Sequence, residues 1–308
     1  MQALWMVLAS FLFATMGVGV KIASDSFNTF ELVCYRGLIS MVFMWLMMRA
    51  RGVSLTTQVP MMHAWRAIVG VMSLGSWFYA IAHLPLATAM TLNYMSGVWI
   101  AAFIVGGALF YNSAKEGNDG KNGKASMTNQ GPFLLTVLCG FAGVVMTLRP
   151  TMDQNQLFAG VIGLLSGMGA ALAYMQVTVL GRMGEPEERT VFYFALGSAV
   201  AGGVGLLFSG LSPTASWSTV GAWWLIPIGI LASLGQWCMT RAYSKGSTLV
   251  VATMQYSGIV FAAIYSLALF GDNISPLGWA GIVVIVLSGV AATILRSHAL
   301  PNTPAEEH

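Results

Sequence analysis

Two pentapeptides of one form, SLGSW at residues 73–77 and SLGQW at residues 233–237, open a series of matching segments in this chain of 308 residues. AMTLNYMSGVWIAAF at 89–103 is matched in the same way by VATMQYSGIVFAAIY at 251–265. The matches keep their order and a spacing of 160 to 162 residues. A single repeated pentapeptide is weak evidence, whereas an ordered series indicates a duplicated structural unit.

The spacing between the copies changes at one place. ALF at 108–110 still matches ALF at 268–270, but GVVMTLR at 143–149 and its counterpart GVAATILR at 289–296 stand closer together. The first half differs by the segment YNSAKEGNDGKNGKASMTNQG at 111–131, which is polar, glycine-rich and charged. Because this composition is typical of a flexible connection, we predict a cytoplasmic insertion that is present in the first half only.

The composition indicates that lipid is the solvent for most of the chain. Hydrophobic residues make up 56% and charged residues 8% of the sequence, whereas a soluble domain carries about 25% charged residues. The mean hydropathy is +0.73, which places the chain in the membrane class. The net charge of +3 is small and the basic residues are scattered, so a nucleic-acid-binding surface is not expected.

Ten apolar runs are long enough to be membrane-spanning helices, which need about 20 residues each. The predicted helices cover residues 1–22, 29–48, 63–82, 86–110, 132–148, 156–180, 190–209, 222–241, 248–270 and 275–295. With the N-terminus in the cytoplasm, the outer loops hold only Lys21 and Arg149 as basic residues, and Arg66 is among the basic residues on the cytoplasmic side. The positive-inside rule therefore predicts that both termini are cytoplasmic.

Five helices form one unit, and an odd number of spans determines how the second unit inserts. A unit of five spans ends on the side opposite to its start, so its second copy is upside down. We predict inverted repeats at residues 1–150 and 157–297, followed by a cytoplasmic tail at 298–308. Two inverted copies give nearly equivalent states that open to either side, with a site where the copies meet. This architecture is typical of an alternating-access carrier.

The Gly-x-Trp helix of each half and the stretch ALFGDNISPLGWAGIVVIVLSGV at 268–290 resemble the drug/metabolite transporter superfamily, and within it the bacterial EamA-like exporters. The resemblance covers residues 1–150 and 157–297. It implies a multi-pass protein of the bacterial inner membrane with a central cavity formed mainly by helices one, three, four, six, eight and nine. It also implies export of a small organic solute such as an amino acid, an amine, or a cationic or aromatic compound.

This chain departs from the family at one turn in each half. The family usually ends helices four and nine with Gly-Glu, whereas helix nine here has Gly271-Asp272 and helix four has Tyr111-Asn112 before the insertion. A channel-like or scaffold membrane protein, in which the aromatic residues serve only packing, is the alternative function.

Polar and aromatic residues that recur at matching positions of the two halves are the candidates for a solute site. The predicted pairs are Ser76 with Gln236, Trp77 with Trp237, Asn93 with Gln255 and Tyr94 with Tyr256. Tyr174 in helix six is a further candidate. Aromatic walls with a few polar groups are the usual lining of a small-molecule site. Hydrogen bonding between neighbouring helices is the competing interpretation of the same residues.

Arg36 is the charged residue placed deepest in a predicted span, about seven residues into helix two. A charge at the centre of a membrane helix costs about 2.5 to 3.5 kcal/mol on insertion scales, so the side chain is expected to face inward. Two roles stay open for it: a structural role, capping carbonyls or pairing with Glu31, and a contact with solute or gate. Glu31 itself is expected to be a solvated or interfacial carboxylate near the outer boundary.

Enzymatic functions find no support in the sequence. His63 and His83 lie at predicted helix ends, so an intramembrane Ser-His pair or a histidine metal site lacks its base or ligand. A nucleotide-binding Gly-x-x-x-x-Gly-Lys-Ser/Thr loop does not occur. We expect no metal and no cofactor, a small solute and the lipid bilayer as partners, and a monomer or weak homodimer. Uncoupled or substrate-charge-driven movement is favoured over proton coupling through Glu31.

Overall fold

A computed structural model describes residues 2–100, 102–103, 135, 138–140, 142–143, 146, 154–212, 220–246, 251, 254–272 and 274–299. Within these ranges the chain forms helices and no strands. The bounded helices are α1 (Gln2–Ala23), α2 (Thr29–Ala50), α3 (Pro60–His83), α4 (Leu86–Tyr94), α5 (Gln154–Arg182), α6 (Glu187–Ser209), α7 (Val220–Lys245), α8 (Ser257–Phe270) and α9 (Pro276–Ala299).

The all-helical membrane class predicted from the sequence is confirmed. Five segments are long and apolar enough to cross a bilayer: Leu4–Ala23, Thr29–Ala50, Gln156–Arg182, Glu187–Ser209 and Val220–Lys245. Two shorter apolar helices, Ser257–Phe270 and Pro276–Ser288, accompany them. The number of ten spans and the side on which the termini lie remain predictions.

Two predicted elements fall largely or wholly beyond the described part of the chain. The insertion at 111–131 lies outside it, and so does most of the helix predicted at 132–148, of which the described residues between 135 and 146 are helical. Elsewhere the predicted boundaries agree with the observed ones to within a few residues, except in helices four and nine.

Helices four and nine are interrupted where continuous spans were predicted. α4 ends at Tyr94, and after a turn at Met95 residues 96–100 are helical again. α8 begins after a turn at Tyr256, with residues 254–255 helical before it. The two interruptions fall at matching positions of the sequence repeat. Each precedes a Ser-Gly pair, and glycine weakens a helix by about 1 kcal/mol relative to alanine.

The two interruptions pack against each other through glycine. A Cβ added at Gly258 would lie 2.5 Å from the Tyr94 ring, and one added at Gly97 would lie 2.7 Å from the Tyr256 hydroxyl. The tyrosine of each half therefore rests on the glycine of the other half. This exchange holds the end of α4 and the residues that follow it against the start of α8.

The most extensive helix pairs join the first half of the chain to the second: α2 with α6, α1 with α7, and α3 with α5. α2 and α6 approach closely at glycines, as small residues permit in membrane helices. A Cβ at Gly37 would overlap the backbone of Ala199, and one at Gly202 would lie 2.5 Å from the backbone nitrogen of Cys34. The core is consequently built between the halves rather than within each of them.

Candidate functional site

A cavity of about 40 Å³ lies in the middle of the bundle, between α1, α3, α4, α5, α6 and α7. Five of the ten residues predicted for a solute site line it: Trp77, Asn93, Tyr94, Tyr174 and Gln236. Its volume has room for a few water molecules, whereas pockets for organic ligands enclose about 300 Å³ or more. In this conformation the cavity is therefore too small for an organic solute.

The polar groups of the cavity are held by neighbouring helices. Asn93 Nδ2 donates a 3.0 Å hydrogen bond to Ser166 Oγ, and Ser73 Oγ donates a 2.7 Å bond to the Ser166 carbonyl oxygen. The ring of Tyr174 is stacked on that of Tyr243, with centroids 5.5 Å apart. These contacts fix the orientation of the lining, which is the preorganisation that a binding site needs.

Gln255 and Tyr256 lie outside this cavity and join the halves of the bundle. Gln255 Nε2 donates to Ser96 Oγ at 3.2 Å, and its Oε1 accepts a 3.1 Å bond from the Tyr243 hydroxyl. Tyr256 rests on Gly97, as described above. Ser76 is half-buried and does not line the cavity.

Arg66 is a lining residue of the cavity that the sequence analysis does not select as a candidate. It was assigned to the cytoplasmic side, yet it is 2% exposed and lines the cavity. The positive-inside rule counts charges near helix ends without regard to the face of the helix that carries them. Arg66, Gly70, Ser73 and Trp77 follow one another at intervals of four, three and four residues, which places them on one helix face. This spacing is the signal in the sequence that indicates a position for Arg66 on the same helix face as Trp77.

Two arginines share one aromatic ring beside the cavity. The guanidinium carbon of Arg66 lies 4.2 Å from the ring centroid of Phe194, and that of Arg36 lies 5.2 Å from it. Phe194 and Arg66 line the cavity, whereas Arg36 is not among the lining residues. Arg36 Nη1 donates a 3.3 Å hydrogen bond to Ser198 Oγ of α6.

Neither arginine has a carboxylate of the described ranges within 4.0 Å. The predicted alternative of an Arg36–Glu31 pair is therefore wrong, because Glu31 is engaged elsewhere. The Glu31 carboxylate accepts bonds from the Asn28 backbone at 2.7 Å and from the Ser212 hydroxyl at 2.6 Å. Glu31 is fully buried, so of the two environments expected for it, solvated or interfacial, the solvated one is wrong. It ties the start of α2 to the segment that follows α6.

Trp237 belongs to a cluster at the other end of the bundle, which we call the Glu188 cluster and which comprises Trp5, Arg51, Glu188, Trp237 and Arg241. Arg51 Nη1 lies 2.5 Å from Glu188 Oε1 in an ion pair. The guanidinium groups of Arg51 and Arg241 lie over the Trp237 ring at 4.9 and 5.3 Å. Trp5 meets Trp237 edge-on, with centroids 5.3 Å apart. The cluster joins α1, α2, α6 and α7 at this end.

Glu185, in the turn between α5 and α6, ties the same end to the loop before α3. It accepts a 2.8 Å bond from Thr57 and a 3.1 Å bond from Arg189, and its Oε2 lies 3.2 Å from His63 Nε2. Burial favours a raised pKa for Glu185, but these hydrogen bonds outweigh it and hold the pKa below its ordinary value. Across the described residues, no group of three or more His, Cys, Asp or Glu side chains is arranged to hold a metal ion.

Comparison with known proteins gives a consistent family assignment. The profile of the EamA-like transporter family matches residues 1–111 and 161–294. The chain is 33% identical over 286 residues to the pseudopaline exporter CntI of Pseudomonas aeruginosa strain UCBPP-PA14, covering 92% of this chain and 93% of the relative. It is 24% identical over 299 residues to the riboflavin transporter of Vibrio cholerae, covering 93% and 90%.

One solved crystal structure aligns with a TM-score of 0.65, covering 96% of this chain and 98% of the other at 16% sequence identity. A likeness at this level of identity concerns the fold alone.

Proposed function

Because this chain belongs to the EamA-like transporter family, we propose that it is a secondary transporter that exports a small organic solute across the bacterial inner membrane by alternating access. The observation that carries the proposal is the central cavity, which is lined by helices of both halves. We propose the residues lining this cavity, Trp77, Asn93, Tyr94, Tyr174 and Gln236 among them, as the solute-binding residues.

The helix pairing supports an inverted repeat of residues 1–150 and 157–297. In the sequence repeat, α3 corresponds to α7 and α4 to α8, so that α1 corresponds to α5 and α2 to α6. If the two halves are exchanged, the pair α1–α7 becomes the pair α5–α3, and the pair α2–α6 maps onto itself. These three pairs are the most extensive in the described part of the bundle. Alternating access follows from such symmetry, because rocking one half against the other interconverts two similar states.

Two contacts between α2 and α6, which we call latches, lie at opposite ends of the bundle and suit an alternating-access cycle. The Glu188 cluster and the Glu31 contacts both connect α2 to the ends of α6, one at each end of the bundle. Releasing one latch while the other stays closed opens the cavity to one side only. We assign the Glu188 end to the cytoplasm, in agreement with the orientation inferred from the basic residues.

The named relatives favour transport but leave the solute of this chain open. One is named an exporter of pseudopaline and another a transporter of riboflavin, so the same fold carries different compounds. The export direction rests on the relative that is 33% identical.

The proposal is tested by counterflow in proteoliposomes that contain the purified protein. A thermal-shift screen of amino acids, amines, nucleosides and aromatic ions first identifies the compounds that stabilise the protein. An alternating-access carrier loaded with an identified solute on one side accelerates entry of labelled solute from the other side. Flux without this acceleration would indicate a channel, and the absence of any flux would favour a scaffold.

A further inference from the structure

We infer that the transported solute carries a carboxylate and that Arg66 binds this group, with Arg36 adding positive charge from behind Phe194. The inference rests on the proposed function in one respect: it takes the central cavity as the place where the solute binds. It narrows the solute classes expected from the sequence, since amines and cationic aromatic compounds are then excluded.

The first observation is that Arg66 is buried with most of its donors uncommitted. Its Nη2 makes a long hydrogen bond of 3.4 Å to Gln236 Oε1. Its Nε and Nη1 have no hydrogen-bond partner among the described side chains and backbone groups. A guanidinium group that is 2% exposed and faces a cavity is expected to meet an anion there, because a buried charge without a partner is unfavourable.

The second observation is that Arg36 places a second positive charge close to that of Arg66. Both guanidinium groups lie over the Phe194 ring, so two positive charges act on one side of the cavity in a medium of low dielectric constant. The nearby carboxylates are committed to other partners: Glu31 to Asn28 and Ser212, and Glu188 to Arg51. A cationic solute would be repelled here and an anionic solute attracted.

The third observation is that the protein makes room for the guanidinium group and packs an aromatic ring against it. A Cβ at Gly70 would overlap Nη1 of Arg66, so the absence of a side chain at Gly70 is what allows Arg66 to occupy this position. Phe194 packs against the guanidinium group, and Nε and Nη1 of Arg66 remain as donors for acceptor atoms of a ligand. A planar fork of donors matches a carboxylate in two parallel hydrogen bonds.

The remaining lining suggests the body of the solute. Phe13, Trp77, Tyr94 and Tyr174 surround the cavity, and apolar walls of this kind bind aliphatic or aromatic groups. Trp77 Nε1 has no protein hydrogen-bond partner among the described residues, and it supplies a second donor on the helix face that carries Arg66. The chemistry points to an organic acid with an apolar or aromatic body.

The experiment compares shape-matched probes on the purified full-length protein by thermal shift. Three sets of probes are used. Each set consists of one carboxylate (benzoate, phenylacetate or 3-phenylpropionate), the corresponding amide and the corresponding amine. Inorganic phosphate is tested as a further anion. The variants are Arg66→Gln, Arg66→Lys and the control Arg49→Gln. Arg49 is exposed on α2 and lies over the Trp45 ring, so this control removes one positive charge away from the cavity.

We expect carboxylates to stabilise the wild-type protein more than their amides, and amines not to stabilise it. Arg66→Gln should weaken carboxylate binding by roughly 10- to 100-fold, as expected for the loss of charge-assisted hydrogen bonds. Arg66→Lys should recover only part of this affinity because an ammonium group lacks the planar fork. Arg49→Gln should bind like the wild type.

The inference is overturned if no carboxylate exceeds its amide, if amines bind as well as carboxylates, or if phosphate stabilises the protein where the carboxylates do not. The wild-type comparison decides this even if an Arg66 variant fails to fold. Counterflow is measured separately: carboxylate-selective binding without counterflow would refute the transport proposal alone. Counterflow of an amine that carboxylates do not inhibit would refute the present inference alone.

Discussion

The indole Nε1 of Trp237 donates a 3.1 Å hydrogen bond to Oε1 of Glu188, the same oxygen that pairs with Arg51. One buried carboxylate oxygen thus joins α7, the first turn of α6 and the end of α2. Glu188 and Trp237 are both buried, so their hydrogen bond is shielded from water, whereas the Arg51 side chain is half-exposed.

Glu188→Gln is expected to lower stability more than Glu187→Gln does. Both carboxylates pair with a half-exposed cation, Arg51 or Lys245, and such pairs contribute about 0 to 1 kcal/mol. Glu188 also accepts the buried hydrogen bond from Trp237, and loss of a charge-assisted bond of this kind costs about 1.5 to 3 kcal/mol. Melting temperatures in one detergent measure the difference. Equal losses for the two variants would show that the Glu188 cluster does not hold this end of the bundle closed.

Trp77→Phe and Trp237→Phe are expected to have different effects, although the two residues match in the sequence repeat. Trp77 lines the cavity and Trp237 lies in the Glu188 cluster. Trp77→Phe should raise the KM of counterflow by roughly 3- to 10-fold, as expected for one lost hydrogen bond, with little change in melting temperature. Trp237→Phe should lower the melting temperature with KM unchanged. The reverse pattern would place the solute at the Glu188 end.

Gly202→Ala is expected to destabilise the protein, while Gly203→Ala is not. A Cβ at Gly202 would lie 2.5 Å from the Cys34 backbone nitrogen, whereas one at Gly203 meets nothing within 4 Å. Overpacking of this kind costs about 1 to 3 kcal/mol, whereas a Gly→Ala change with open space around the new Cβ is neutral or stabilising by up to about 1 kcal/mol. Thermal unfolding of the two variants checks the expectation, and equal stability of the two would contradict the close approach of α2 and α6.

We expect the folded protein to lose stability in acid as Glu185 becomes protonated. The pKa of Glu185 is lower in the folded protein than its ordinary value of 4.5, so its contribution is fully present above pH 4.5 and is lost as the pH falls through the folded value. Melting temperatures of wild type and Glu185→Gln from pH 3 to pH 7 measure this contribution. The two curves should converge at the acid end. Parallel curves over the whole range would show that the Glu185 carboxylate contributes nothing.

The helices and the general nature of the lining were accessible from sequence because they depend on local patterns. Runs of apolar residues indicate the helices. Trp77, Asn93 and Tyr94, which have matching positions in the sequence repeat, line the cavity. The separation of Trp77 from Trp237 was not accessible in this way. A match in the sequence repeat does not give the depth or the surroundings of a side chain, and the Glu188 cluster at one end holds Trp237 away from the cavity.

Arg66 and the interruption at Tyr256 show a second limit. Hydropathy counts the residues of a helix but ignores which face each side chain occupies, and the face decides whether an arginine near a helix end meets water or a cavity. The interruptions at Met95 and Tyr256 each precede a Ser-Gly pair, a local signal, but the packing at these places brings a tyrosine of one half onto a glycine of the other. That is a contact between segments far apart in sequence, so no local pattern reveals it.

Arg36 of α2 donates its hydrogen bond to Ser198 of α6, across the contact between the two halves of the chain. In a dimer of two identical five-helix subunits, any change at such a contact would appear in both subunits at once. Once both halves are encoded in one gene, mutation can change one side alone, so that an arginine of one half can meet a hydroxyl group of the other.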